Sequence, residues 1–122
     1  MAGGLGNLGE ERACRYLETK GYRILEKNFK CRRGEVDIVA ERGDTIAFVE
    51  VKTWRGMPAS ALEHAISTKK QVRILAAAQL YLLRRREQEP LHIRFDVILL
   101  RDPEAEDVEH WEGAFEPERW HG

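Results

Sequence analysis

The chain has 122 residues, which is the length of one domain and enough to bury a hydrophobic core. Its 43% hydrophobic and 34% charged residues are typical of a soluble globular protein, and no apolar run reaches the length of a membrane span. This composition argues against an integral membrane protein. Because the N-terminus lacks the apolar core of a signal peptide, we expect a single cytoplasmic domain over residues 1–122.

Charge is distributed unevenly along the chain. Residues 101–122 contain eight acidic and two basic residues, a net charge of −6, whereas residues 1–100 contain thirteen acidic and eighteen basic residues, a net charge of +5. A basic surface on the first 100 residues would attract a polyanion such as nucleic acid, with an affinity that falls as salt rises. The same pattern is equally compatible with an ordinary solvated surface followed by an acidic tail.

The first predicted elements are a helix over residues 7–20 and a strand over residues 22–29. Asn7 is the predicted N-cap of the helix, and Gly21 is its predicted stop. Glu10 has two interpretations that the sequence leaves open. It can complete a capping box with Asn7, or it can be a further carboxylate of a functional site.

A basic loop is predicted after this strand, with Lys27, Lys30, Arg32 and Arg33. These cations can bind the phosphates of a nucleic acid, although such loops also occur as plain solvated surface. The adjacency of this loop to the strands that carry the candidate site residues favours phosphate binding. Gly34 permits a tight entry into the next strand.

Two short β-branched runs, residues 34–40 and 47–53, predict a hairpin that turns at residues 42–44. Side chains alternate between the faces of a strand, so Glu50 and Lys52 project together. The hairpin can bring Asp37 alongside Glu50 on the neighbouring strand. The predicted result is two carboxylates and one ammonium on a single patch of sheet.

Charged side chains inside apolar strands cost stability unless they are paired or bind a metal. Asp37 and Glu50 offer oxygen ligands, which suit Mg²⁺ or Mn²⁺. Such an ion can activate water and stabilise a leaving oxygen, and Lys52 can assist the attacking water. The pattern predicts a metal-dependent nuclease, and it leaves open whether one ion or two are bound.

The second half of the chain predicts two helices and two strands. A short helix is expected over residues 59–65, and a long helix over residues 69–86 with Thr68 as its N-cap. Lys70, at the start of the long helix, can point toward a bound phosphate or simply face solvent. Its predicted apolar stripe consists of Val72, Leu75, Gln79, Leu82 and Leu83.

A strand is predicted over residues 93–100, and residues 108–115 can add a further edge strand. Within the first of these, Asp96 next to Arg94 predicts a structural ion pair rather than a catalytic group. His64 is a lone histidine, which is more typical of packing or solvent exposure than of metal binding. Trp54, Trp111 and Trp120 can stack on unpaired bases, but core or edge packing is the more common role of tryptophan.

The Asp, Glu-x-Lys pattern resembles that of the PD-(D/E)XK nuclease superfamily, with Asp37, Glu50 and Lys52 in the three named positions. A longer ordered set of residues covers nearly the whole chain and resembles the YraN family, which is grouped with Holliday-junction-resolvase-like nucleases. The set comprises Gly6, Gly9, Glu10, Gly21, Tyr22, Asn28, residues 34–37 and 48–52, Lys70, Gln71, Ala77, Ala78 and residues 94–97. The loop after Lys52 is more compact than the family pattern, which affects loop contacts and leaves the core motif intact.

The resemblance implies a restriction-endonuclease-like α/β fold, a mixed central sheet flanked by helices in the order α-β-β-β-α-β. It implies that Asp37, Glu50 and the backbone carbonyl of Val51 bind Mg²⁺ or Mn²⁺. It also implies that Glu10 supports Asp37, Glu50 and Lys52 in catalysis. The expected substrate is DNA, including branched or otherwise structured DNA, which a homodimer would suit.

Lys30, Arg32, Arg33 and Lys70 are the expected nucleic-acid contacts. Two other functions stay open from the sequence. One is a nucleic-acid-binding module that has this fold without the chemistry, and the other is a protein-interaction domain that uses the acidic tail.

Overall fold

The computed structural model describes residues 5–53, 66–85, 92–101 and 107–116, which form a mixed α/β structure. A five-stranded sheet carries a helix on each face. The elements are α1 (Leu5–Thr19), β1 (Arg23–Cys31), β2 (Gly34–Arg42), β3 (Thr45–Thr53), α2 (Thr68–Arg84), β4 (His92–Leu100) and β5 (Val108–Trp111). The predicted helix over residues 59–65, His64, Trp54 and Trp120 lie outside the described residues.

The strands follow one another across the sheet in chain order, β1-β2-β3-β4-β5. The first three form an antiparallel meander, and β4 runs parallel to β3 after the crossover that contains α2. The edge strand expected near the C-terminus is β5, which pairs antiparallel with β4 and extends the predicted order by one element. Within the described ranges, neither helix has the length and apolar character needed to cross a bilayer.

Because successive side chains of a strand point to opposite faces, hydrophobic clusters form on both faces of the sheet. On the α1 side, Leu17 packs against Ile38, Val49 and Ile98. On the α2 side the cluster contains Val36, Val39, Ile46, Phe48, Ile74, Leu75, Ala77, Ala78 and Phe95. Helix α2 carries three consecutive alanines, of which two are fully buried, and these small side chains let its backbone approach the strands closely.

Helix α1 begins at Leu5, so the prediction of Asn7 as its N-cap is wrong. Asn7 lies inside the helix, and Glu10 therefore does not occupy a capping-box position. The predicted stop is confirmed, because Gly21 has φ +89° and the amide of Tyr22 donates to the carbonyl of Leu17 at 3.0 Å.

Helix α2 begins one residue earlier than predicted. Its N-cap is Ser67 rather than Thr68, and the Ser67 hydroxyl accepts from the amide of Lys70 at 3.1 Å. The predicted apolar stripe is only partly correct: Leu75 is buried, whereas the side chains of Val72 and Leu83 are 57% and 82% exposed. Ile74 and the alanines take the buried positions instead, because this face of the helix is the one turned toward the sheet.

The structural ion pair predicted for Asp96 is confirmed. Its carboxylate is fully buried and accepts from both Nε and Nη2 of Arg94 at 2.8 Å and from the amide of Gly113 at 3.0 Å. It also contacts Nε2 of His110 at 2.7 Å. These contacts join β4 to β5 and to the turn that follows β5.

Candidate carboxylate and lysine site

The site begins where β2 and β3 separate. Their pairing runs from Arg42 opposite Thr45 to Ile38 opposite Val49 and then ends. Continued by one step, the register places Asp37 opposite Glu50, where cross-strand side chains share a face. Asp37 instead accepts a hydrogen bond on Oδ2 from the amide of Val51 at 2.8 Å. At the point where the two strands separate, the amide of Val51 thus donates to a side-chain carboxylate instead of a backbone carbonyl.

The alternation of side chains along β2 also breaks at this point. Val36 and Ile38 are two residues apart and should share a face, yet Val36 packs on the α2 side and Ile38 on the α1 side. On the neighbouring strand, Asn28 has φ +53°, a left-handed conformation that asparagine tolerates better than most residues. Both irregularities lie next to Asp37, and they change the direction of side chains on β1 and β2.

Glu50 is the most unusual charged group of the site. The residue is 3% exposed, and its carboxylate lies on the same side of β3 as Lys52, as predicted, while Val49 and Val51 pack toward α1. Burial and the nearby negative charge of Asp37 raise the pKa of Glu50 to about 7, although Lys70 and Lys52 oppose this rise.

Two ammonium groups approach the same oxygen of Glu50. Nζ of Lys70 lies 3.0 Å from Oε2, and Nζ of Lys52 lies 3.7 Å from it. Both lysine side chains are about one-third exposed, so each reaches from solvent into the buried carboxylate. Burial lowers the pKa of Lys70, but the Glu50 carboxylate outweighs burial and leaves it raised.

Glu10 joins the site from α1. Its Oε1 accepts a hydrogen bond from the side-chain amide of Asn28 at 2.6 Å. Burial raises the pKa of Glu10, the Asn28 hydrogen bond lowers it, and the charge of Asp37 raises it further. Of the two interpretations of this residue, the structure therefore places Glu10 beside the carboxylates and not in a helix cap.

The other predicted phosphate contacts lie on the neighbouring surface. Lys30 is an exposed residue of β1, and Arg32 and Arg33 form the exposed turn between β1 and β2. Lys70, by contrast, is directed at Glu50. Lys27, predicted in a loop, is part of β1.

Two features of the site were not predicted from the sequence. Asn28 was noted only as part of the family pattern, and its contact with Glu10 depends on the left-handed backbone that turns its side chain toward α1. The pairing of Lys70 with Glu50 joins residues 20 positions apart, and only the crossover that packs α2 against β2, the neighbour of β3, brings them together. A lysine in the first turn of a helix, where the dipole disfavours cations, was the available signal.

The donor set fits a hard divalent cation. Asp37 and Glu50 provide carboxylate oxygens from adjacent strands, which is the number and type of protein ligand that Mg²⁺ commonly takes, with waters and substrate phosphate completing its shell. Among the residues that the structure describes, no three His, Cys, Asp or Glu side chains gather closely enough to form a metal cage. The fit is therefore to a two-carboxylate, water-rich site.

The fold and this cluster define a mixed α/β protein with a buried carboxylate and lysine site where two central strands separate. The model of the family described as "Uncharacterised protein family UPF0102" matches residues 9–100, a range that contains every residue of the site. A "UPF0102 protein" of Syntrophotalea carbinolica is 46% identical over 118 residues, which cover 95% of this chain and 94% of the relative. The "UPF0102 protein GSU0650" of Geobacter sulfurreducens is 45% identical over 114 residues, covering 92% and 88%.

The chain therefore belongs to the UPF0102 family. This confirms the resemblance to the YraN family. A further "UPF0102 protein", from Syntrophus aciditrophicus, is 44% identical over 112 residues, covering 91% of this chain and 87% of the relative.

Proposed function

We propose that this protein is a Mg²⁺- or Mn²⁺-dependent endonuclease of the restriction-endonuclease-like fold that hydrolyses DNA phosphodiester bonds, including those of branched DNA. The observation that carries the proposal is the convergence of Asp37, Glu50 and Lys52 at the opening between β2 and β3. The order α-β-β-β-α-β within the observed topology supports the fold assignment.

Each side chain has a role that its position supports. Asp37 is held by the Val51 amide through Oδ2, which leaves Oδ1 to face a cation. Glu50 supplies the second carboxylate. Val51 follows Glu50 in the chain and its amide donates to Asp37, so its carbonyl is the third proposed ligand. A divalent cation bound there would activate water and offset the charge that develops on the scissile phosphate and the leaving oxygen.

The lysines complete the proposed chemistry. Lys52 lies 3.7 Å from Glu50 and remains partly exposed, so its ammonium can orient the attacking water and hydrogen-bond to a phosphate oxygen. Lys70 lies 3.0 Å from the same carboxylate oxygen of Glu50 and fixes its direction. Glu10 and Asn28, hydrogen-bonded to each other, support the Asp37 side of the site.

Stability alone does not account for the cluster. A buried carboxylate whose pKa is raised to about 7 destabilises the folded protein whenever it is ionised. A binding module without catalysis would gain nothing from two carboxylates next to DNA phosphates, which they repel.

Two copies of the site, in a homodimer, would suit paired cuts in a four-way junction.

The test is cleavage of labelled linear, flapped and four-way-junction DNA in the presence of Mg²⁺, Mn²⁺ or a chelator. We expect metal-dependent cutting by the wild type and a loss of about 100-fold or more in Asp37→Asn and Lys52→Ala. Glu26→Gln, which alters an exposed acid on β1, is the matched control and should cut like the wild type. If no substrate is cut while folded wild type and variants bind DNA equally, the protein is a binding module and the proposal is wrong.

A further inference from the structure

The turn between β1 and β2 is pressed against the first half of α2. A Cβ atom added to Gly34 would lie 1.8 Å from the backbone carbonyl oxygen of Arg73, so only glycine permits this approach. The contact places Arg32 and Arg33, the exposed pair that immediately precedes Gly34, near the part of α2 that carries the exposed Arg73. Two basic segments that are 40 residues apart in sequence thus form one surface.

This surface, which we call the basic band, continues in both directions. It consists of six exposed residues: Lys27 and Lys30 on β1, Arg32 and Arg33 in the turn, and Lys69 and Arg73 on α2. Lys69 and Arg73 are four residues apart and lie on the same side of the helix. The band therefore runs from the sheet edge at β1, across the turn, to the N-terminal half of α2.

The basic band borders the carboxylate site at both of its ends. On β1, Lys27 and Lys30 are close enough to Glu10 to oppose the rise in its pKa. On α2, Lys69 directly precedes Lys70, which contacts Glu50 at 3.0 Å. A strand of nucleic acid that followed the band would pass beside the proposed reaction centre.

The cations on α2 are placed where the helix itself disfavours them. The first turn contains Lys69 and Lys70 and no acidic residue, although the positive end of the helix dipole prefers acids. The same end of a helix favours a phosphate. A bound polyanion would offset both the lysine charges and the dipole.

The band offers phosphate contacts without rings for base stacking. Among the described residues, the exposed large hydrophobic side chains are Leu8, Val72 and Leu83, and none of these is aromatic. Single-strand binding depends on exposed aromatic platforms, whereas cations alone contact the backbone and carry no sequence information.

We propose that the basic band binds the phosphate backbone of double-stranded DNA next to the carboxylate site, without regard to base sequence. The inference rests on the proposed function, because it names the substrate surface of that site. It adds Lys69 and Arg73 to the cations considered from the sequence, and it specifies a duplex as the ligand.

The test measures binding of a fluorescein-labelled 20-base-pair duplex by anisotropy, in a chelator, over a series of salt concentrations. Arg33→Gln and Arg73→Gln should each make the negative slope of log affinity against log salt shallower by about 1. Arg84→Gln removes the same charge from the other end of α2, about 16 Å away along the helix axis, and should leave the slope unchanged. Two duplexes of unrelated sequence should bind within about twofold of each other.

Three results would overturn the proposal. They are equal slopes for all three variants, tighter binding of the matching single strand than of the duplex, and a strong preference for one duplex sequence. Because the chelator prevents cleavage, the outcome is independent of catalysis. If the protein binds DNA as expected but never cuts it, the basic-band proposal stands and the nuclease proposal is wrong. If Arg33→Gln and Arg73→Gln cut DNA as well as the wild type does, the nuclease proposal stands and the basic-band proposal is wrong.

Discussion

At the scale of single residues, Glu50 shows most clearly that the site is kept at a cost to the fold. Glu50 is 3% exposed. Burial, and to a smaller extent repulsion from Asp37, raises the pKa of its carboxyl to about 7. A carboxyl with a raised pKa holds its proton more tightly in the folded than in the unfolded chain. The free energy of unfolding therefore falls as pH rises from about 4.5 to about 7 on account of this group.

We predict that Glu50→Gln stabilises the protein at pH 8 while it abolishes any metal-dependent activity. The amide keeps the shape and has no charge to desolvate, so the free energy of unfolding in urea should rise by about 1–3 kcal/mol. At pH 5, where the wild-type carboxyl is protonated, the difference between variant and wild type should nearly vanish. Glu26→Gln, at an exposed position of β1, should change stability by no more than about 0.5 kcal/mol at either pH. Destabilisation of Glu50→Gln at pH 8 would show that the lysines outweigh burial.

At the scale of elements, the contact between β2 and α2 positions both the site and the basic band. The close approach at Gly34 sets the depth of α2 on the sheet, and this depth lets Lys70 reach Glu50. The chain places a glycine here because any side chain would meet the backbone of Arg73 rather than a flexible neighbour. Packing of the small residues Ala77 and Ala78 completes the contact.

We therefore predict that Gly34→Ala destabilises the protein by about 2–4 kcal/mol, because α2 must move away from the sheet. Gly9→Ala is the control on the other helix. Its added Cβ would meet only side-chain atoms of Leu100 and Thr53 at 3.4 Å, and alanine is the better helix former, so stability should hold or rise by up to about 1 kcal/mol. Urea unfolding measures both. Equal effects of the two substitutions would contradict the role assigned to Gly34.

The sequence predicted the elements better than their contacts. The alternation of residues 34–40 and 47–53 correctly indicated the hairpin and the shared face of Glu50 and Lys52, because strand periodicity is a local property. The buried side of α2 was only partly predicted, since Val72 and Leu83 have the right spacing but face away from the sheet. Which side of a helix is buried depends on the strands it packs on, and that information is not local.

At the scale of the whole molecule, a second buried charge network joins the C-terminal strand to the sheet. Asp96 contacts Arg94, His110 and Gly113, and the Arg94 guanidinium also donates to the hydroxyl of Tyr22. Burial would raise the pKa of Asp96, but the His110 and Arg94 contacts outweigh it and hold the pKa below its ordinary value. The Asp96 carboxylate therefore stabilises the fold at pH values above the pKa that Asp96 has in the unfolded chain. This contribution is lost as the pH falls through the lower pKa that Asp96 has in the folded protein.

We predict that Asp96→Asn costs about 2–4 kcal/mol at pH 7, because the contacts of Arg94 and Gly113 lose their charged acceptor. The difference from the wild type should shrink as pH falls below the ordinary Asp pKa of about 4, because the unfolded chain takes up a proton there and the native carboxylate does so only at lower pH. Urea unfolding between pH 7 and pH 3 gives the two curves, with the exposed Asp107→Asn as control. A difference that stays constant with pH would mean that the charge of Asp96 contributes nothing.

The sequence predicted the motif residues of the site but not the residues that hydrogen-bond to them or pair with them. Asp37, Glu50 and Lys52 follow from charged residues in apolar strands, and the structure brings them together. Asn28 and the approach of Lys70 to Glu50 required the irregularities in β1 and β2 and the crossover of α2. These are consequences of long-range packing that no window of sequence contains.

The most direct measurement of the central claim is Mn²⁺ binding to the purified protein, because it requires no knowledge of the substrate. Titration followed by electron paramagnetic resonance should detect Mn²⁺ binding in the wild type and in Glu26→Gln, and a loss of about tenfold or more in affinity in Asp37→Asn and Glu50→Gln. Unchanged affinity in folded Asp37→Asn and Glu50→Gln, or no binding to the wild type, would contradict the assignment of this carboxylate pair as a divalent-cation site.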